Sequence, residues 1–85
     1  MDYIKVGKVT HFFDKISVAA IGITDDIIKV GDKIRIGEFG TGLEQKIDSM
    51  QMEHQEVAEA KAGDEVGIKV TSAVKSGEEV YKISG

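Results

Sequence analysis

Residues 27–36 read Ile-Ile-Lys-Val-Gly-Asp-Lys-Ile-Arg-Ile, a Gly-Asp corner leading into a stretch where Ile34 and Ile36 alternate with Lys33 and Arg35. A period of two sends the isoleucines to one face of an extended chain and the cations to the other, the pattern of a half-buried strand. Gly31 supplies the positive φ that a sharp turn demands, and Asp32 accepts hydrogen bonds from nearby backbone N–H groups. The same wording returns as Ala62-Gly63-Asp64-Glu65-Val66-Gly67-Ile68 and as Ser76-Gly77-Glu78-Glu79-Val80. Three turn-into-strand units in so short a chain predict an all-β meander or barrel rather than a helical design. The bland alternative is three ordinary turns that are alike by chance.

The remaining pattern fills in around these corners. Residues 3–13 carry Ile4 and Val6 in one phase and Val9, His11 and Phe13 in the other, with Gly7 at the phase change. A glycine there predicts a bulge or strong bend in one strand that serves two faces. Asp14-Lys15 makes a turn, and residues 16–24 are apolar on both sides, as in a central strand with small residues where another element approaches. Residues 37–42, holding Glu38, Phe39 and Thr41, read as a hairpin loop. A fourth strand over residues 43–52 has no cleanly apolar face. Residues 54–62 have helix propensity but fall short of the roughly 12 residues an isolated helix needs. At most one helical turn is expected there, with Val57 and Ala60 against the barrel. Residues 65–70 and 79–83 complete a predicted six strands.

Composition narrows the function classes. The 85 residues suffice for one domain, 1–85, burying somewhat more than ~60% of the surface of the unfolded chain. With no cysteine there is no disulfide framework and no Cys-based zinc site, so a reducing, cytoplasmic setting is the expectation. No stretch reads as a signal peptide or membrane span, so no membrane partner is expected. A net charge of −4 opposes a grip on nucleic acid based on phosphate neutralisation alone, although a local basic patch is compatible with it. Three phenylalanines and two tyrosines leave little for a base-stacking platform.

The segment Asp26-Ile27-Ile28-Lys29-Val30-Gly31-Asp32-Lys33-Ile34 resembles the turn and strand of the second domain of translational GTPases such as elongation factor Tu. Further matches follow in order: residues 46–52, then Lys61-Ala62-Gly63-Asp64-Glu65-Val66-Gly67-Ile68, then residues 74–81 with Gly77. The resemblance covers nearly the whole chain and implies a single small closed six-stranded β-barrel. The chain also resembles stand-alone elongation-factor-like small proteins and the barrel at the end of collagenase-type peptidases. Family members hold the aminoacyl end of tRNA with an arginine before the second strand and a glutamate late in the fourth. Those positions fall on Lys15, which lacks the planar guanidinium fork, and on Gln51, which lacks the charge. The chain has no Gly-x-x-x-x-Gly-Lys-Ser/Thr loop, so GTP binding by this chain is not expected.

Other candidate chemistry is thin. His11 and His54, with Asp14 or Glu53 nearby, have no recognised metal-ligand spacing, and nothing asks for a cofactor. Asp25-Asp26 and Glu78-Glu79 lie at turns, where acids cap and solubilise, and adjacent side chains diverge rather than share a proton. The serines lack nucleophile-elbow glycines. Met50 and Met52 either fill core gaps or, with Phe39, form an adaptable apolar surface. Lys5, Lys8 and Lys15 form either a basic stripe beside Gln51 or a solvated outer face. The first expectation is therefore a non-enzymatic binding module that contacts tRNA/RNA or a translation-related protein through Lys8, Lys15, Phe39, Met50, Gln51 and Met52. The alternative is a protein-interaction subunit that docks to a partner enzyme, peptidase-like or GTPase, without RNA binding.

Overall fold

In the computed structural model the described residues are 2–37, 43–53 and 55–84. They form only strands and connections: β1 Asp2–Phe13, β2 Val18–Ile23, β3 Ile28–Lys29, β4 Lys33–Ile36, β5 Leu43–Lys46, β6 Met50–Met52, β7 Gln55–Val57, β8 Glu59–Ala60, β9 Glu65–Lys69 and β10 Glu79–Ser84. The all-β class holds. The expected closed six-stranded ladder does not: one eight-stranded sheet runs β5-β4-β10-β1-β2-β9-β6-β7 and ends open, with β3-β8 as a separate pair. Side-chain chemistry spans part of that opening. The Gln45 amide on β5 donates to the Lys69 carbonyl at 2.8 Å and accepts from the Thr71 N–H at 2.9 Å, imitating a ladder rung where the chain leaves β9.

The long first strand serves two neighbours because it is bulged twice. Its register against β10 slips between Lys5 and Gly7, so Val6 turns inward, and its register against β2 slips between Val9 and His11. Val6 and Val9 both enter the core although they are three residues apart. At the first bulge the backbones are so close that a Cβ on Gly7 would lie 2.2 Å from the Gly22 carbonyl oxygen. The second bulge has no glycine to announce it. It places Thr10 as the extra residue and turns His11 and Phe13 outward, away from the face that Val9 occupies.

The three repeated corners share one construction. In Lys29-Val30-Gly31-Asp32, Lys61-Ala62-Gly63-Asp64 and Lys75-Ser76-Gly77-Glu78 the glycine has φ of 99°, 97° and 93°, the left-handed position of a type II turn. In each, the acid N–H donates to the lysine carbonyl (3.0, 3.0 and 3.2 Å). Its carboxylate accepts the lysine N–H (2.9, 3.1 and 2.5 Å). Each corner also clasps one buried residue of another segment, respectively Ile47, Ile23 and Val9. The glycine N–H donates to that residue's carbonyl, and its N–H donates to the acid's carbonyl, all at 2.7–2.9 Å. The recurrence in the sequence is therefore a repeated device for stitching the core.

That device explains two departures from the sequence reading. The single strand expected over residues 43–52 breaks after Lys46, because Ile47 leaves the ladder to enter the Gly31-Asp32 corner and bury its side chain completely. The helix-prone stretch is extended among its described residues: Val57 pairs with Met50, and Ala60 pairs with Ile28. Ladder bonds supply there what a helix too short to hold itself cannot. Val57 packs on the core and Ala60 is within it, as expected. Arg35, expected on the solvated face with Lys33, is only 7% exposed, and its guanidinium pairs with Glu44 at 2.7 Å. Ile21, Ile28, Ile34, Ile36, Ile47 and Ile68 dominate a core of small and β-branched side chains.

Candidate functional site

One outer surface is formed by the neighbouring strands β1, β2, β9 and β6. Register aligns His11, Ala20, Gly67 and Gln51 in one row across the four strands. Phe13, Val18 and Lys69 form the neighbouring row, and Lys8, Gly22 and Glu65 the row on the other side. Ala20, Gly22 and Gly67 leave little relief, and Val18 already crowds Gly67, where a Cβ would meet Val18 Cγ1 at 3.1 Å.

One end of this face is furnished with apolar side chains held in position. The His11 and Phe13 rings meet edge to face with centroids 4.4 Å apart. Phe13 is 46% exposed, and Ile16, at the tip of the β1–β2 turn, is 60% exposed. The turn is fixed from both sides: the Ile16 N–H donates to the Phe13 carbonyl, and the Ser17 carbonyl accepts from the Val70 N–H at 2.8 Å. Ser17 has φ of 56°, a left-handed conformation uncommon outside glycine. The bulge beneath is bound in as well, since the Thr10 hydroxyl lies 2.8 Å from Glu65 Oε2 and the Ser76 hydroxyl donates to the Thr10 carbonyl at 3.1 Å.

The residues singled out in the sequence distribute unevenly over this surface. Gln51 and Lys15 are exposed on it, Gln51 in the His11 row and Lys15 in the turn beside Ile16. Lys8 is exposed but separated from Gln51 by β2 and β9, about 14 Å along the sheet at ~4.8 Å per strand. Lys5 and Lys8 both lie beside Glu79 of β10: Lys5 pairs with it at 3.7 Å, and Lys8 is its partner in register. No continuous basic stripe beside Gln51 results. Met50 is 1% exposed and fills the core, and Met52 is half-buried and packs against it. Phe39 and His54 lie outside the described residues. Phe13 and Ile16 were not legible as a site because Phe13 shares the phase of Val9; a polar Thr10 between them was the only trace of the reversal.

A cleft of about 340 Å³ lies elsewhere, lined by Val30, Asp48, Ser49, Met50, Glu56, Val57 and Ala58. The paired carboxylates are engaged within the fold. Asp26 accepts the Ile27 N–H and pairs with Lys82, and together these hold its carboxyl below the usual range. Glu79 is lowered by the Tyr81 hydroxyl first and by Lys5, and the same hydrogen bond raises the Tyr81 phenol. Among the described residues no group of three His, Asp or Glu could hold a metal ion, and no helix is long and apolar enough to cross a membrane.

Comparison with known proteins adds a context for this fold. Residues 23–77 match the model of elongation factor Tu domain 2. The chain is 42% identical over 79 residues to an uncharacterized protease of Methanocaldococcus jannaschii, covering 92% of this chain and 19% of that one. It is 31% identical over 80 residues to a collagenase of Porphyromonas gingivalis, covering 93% and 19%. The chain thus spans about a fifth of the length of these curated relatives. Among solved structures it superposes on the C-terminal domain of a Geobacillus thermoleovorans protein assigned to the U32 peptidases. The TM-score is 0.85 at 17% identity, over 95% of this chain and 93% of that one, a likeness of fold.

Proposed function

The chain belongs to the elongation factor Tu domain 2 family, and from that premise we propose that it is a non-enzymatic docking module that attaches to a peptidase-type body. One observation carries the reading: more than nine-tenths of this chain matches a segment that makes up only a fifth of a protease and of a collagenase. The matched segment is a minor part of those relatives, and of the described carboxylates Asp26, Glu44 and Glu79 lie in ion pairs while Asp32, Asp64 and Glu78 close turns. In this role the sheet works as a closed barrel, with the Gln45 bridge replacing a ladder rung.

RNA contact, the other reading of the sequence, has less support. Lys15 lies in the β1–β2 turn, Gln51 lies three strands away on β6, Lys5 and Lys8 cluster beside Glu79, and the chain carries a net charge of −4. The test is calorimetric titration of this chain into the Methanocaldococcus jannaschii protease trimmed of the segment that this chain matches. Saturable binding with Kd at or below about 10 μM is expected, corresponding to roughly −7 kcal/mol. Absence of heat at ten times that concentration, with tRNA binding instead at about 0.15 M salt, refutes the docking role.

A further inference from the structure

We propose that the peptidase-type body seats on the end of the molecule where the first and last strands meet, with Ile4 and Ile27 as the apolar anchors. The inference rests on the docking reading above and names the surface that performs it. It starts from the course of the chain: β1 and β10 pair antiparallel from Asp2↔Ser84 onward, so residues 2 and 84 stand side by side on one edge of the fold. In the protease and the collagenase the matched segment is joined by peptide bonds to the greater part of the protein. Whether that part precedes the segment, follows it or does both, the same strand pairing puts the junction on this edge. A body joined there meets this end of the fold at high effective concentration. The β1–β2 turn, with Phe13 and Ile16, lies at the opposite end of β1.

The side chains at this end are firmly held. Register places Ile34, Lys82 and Ile4 in one row across β4, β10 and β1. Ile34 is wholly buried, whereas Ile4, at the β1 end of the row, is 39% exposed. Between them, the Lys82 ammonium donates to the Ile27 carbonyl at 3.0 Å and pairs with Asp26 at 3.3 Å, which binds the turn over residues 24–27 to β10. The same turn is tied to β1, because the Thr24 and Asp25 N–H groups both donate to the Val6 carbonyl. Ile28 then enters the core while Ile27 stays 42% exposed, on a turn already fixed to both strands. Single exposed isoleucines are ordinary, but these two flank one lysine whose charge is matched within the fold by Asp26. A partner therefore meets aliphatic anchors ordered before binding, which lowers the entropy lost on association. The complement is an apolar area on the body beside its junction with the segment, the usual centre of a protein interface.

The test is calorimetric titration of the full chain and its variants into the trimmed protease at two temperatures. Wild type is expected to bind with a negative heat-capacity change, the mark of buried apolar surface. Ile4→Ala with Ile27→Ala is expected to weaken binding at least about tenfold, and Phe13→Ala with Ile16→Ala to leave it within about twofold. Ile27→Ala alone, in an exposed turn, is expected to keep the wild-type melt and weaken binding at least about threefold. Circular dichroism melts of each variant, and of the trimmed protease, separate loss of contact from loss of fold. Binding by wild type that both isoleucine variants retain, that the Phe13 and Ile16 variant loses instead, or that shows no heat-capacity change overturns the assignment of this end while leaving the docking role standing. No binding by wild type, with both proteins folded, removes both. Binding of tRNA in place of the protease replaces them with the RNA reading.

Discussion

Replacing Gly7 with alanine tests the packing argument most sharply. The added Cβ would lie 2.2 Å from the Gly22 carbonyl oxygen, 3.1 Å from the Gly22 carbonyl carbon and 3.2 Å from Ile23 Cα, all backbone atoms with no rotamer to change. Real Cβ contacts essentially never fall under 3.0 Å, so β1 and β2 must part by about 0.8 Å. Overpacking of this sort costs about 1–3 kcal/mol. Weakening the rungs Gly7↔Ile23 and Lys8↔Gly22 adds about 1 kcal/mol each. The lower backbone entropy of unfolded alanine returns about 0.4–1 kcal/mol. The net loss is about 2–5 kcal/mol, against a total of about 4–13 kcal/mol for a chain of this length. Gly22→Ala on the partner strand is the control, since its Cβ would make an ordinary 3.4 Å contact with Thr10 Cγ2. Guanidinium unfolding followed by far-UV circular dichroism reads both. Gly7→Ala within about 1 kcal/mol of wild type, or no worse than Gly22→Ala, would refute the reasoning.

Other expectations follow from single contacts. Gln45→Ala removes both amide bonds to the chain leaving β9 and is expected to cost about 1–2 kcal/mol in the same assay. Gly63→Ala meets no atom within 4 Å, yet its φ of 97° makes it cost about 1 kcal/mol through backbone strain alone. Asp26 and Glu79 have lowered folded values, so their stabilisation is present above the ordinary carboxylate range and is lost as pH falls below about 4. The raised Tyr81 phenol acts oppositely: its contribution is full below about pH 10 and is lost as pH rises beyond. Melting temperature against pH, with Tyr81→Phe flattening the alkaline fall, checks both signs.

Much of the fold was legible because the chain repeats one piece of local chemistry. Lys-x-Gly-acid carries its own turn type, and glycine at the left-handed position leaves few alternatives. The bend at Gly7 was readable for the same reason, since glycine marks a close approach. What the sequence hid was tertiary. Nothing in residues 43–52 signals that Ile47 is drawn out of its strand by a corner sixteen positions earlier, a partner that exists only in the folded chain. The second bulge, at Thr10, has no such marker, and so the outward turn of Phe13 went unread. The methionines illustrate the opposite error: residues that suit a binding surface also suit a core, and Met50 opposite Ile68 is in the core.

The central claim is that this chain docks to a peptidase-type body. The most direct measurement is the amide spectrum of the labelled chain with and without the unlabelled trimmed protease. The account predicts that the perturbed and protected amides form one contiguous patch on the surface of the chain. A spectrum that does not change at all would contradict it.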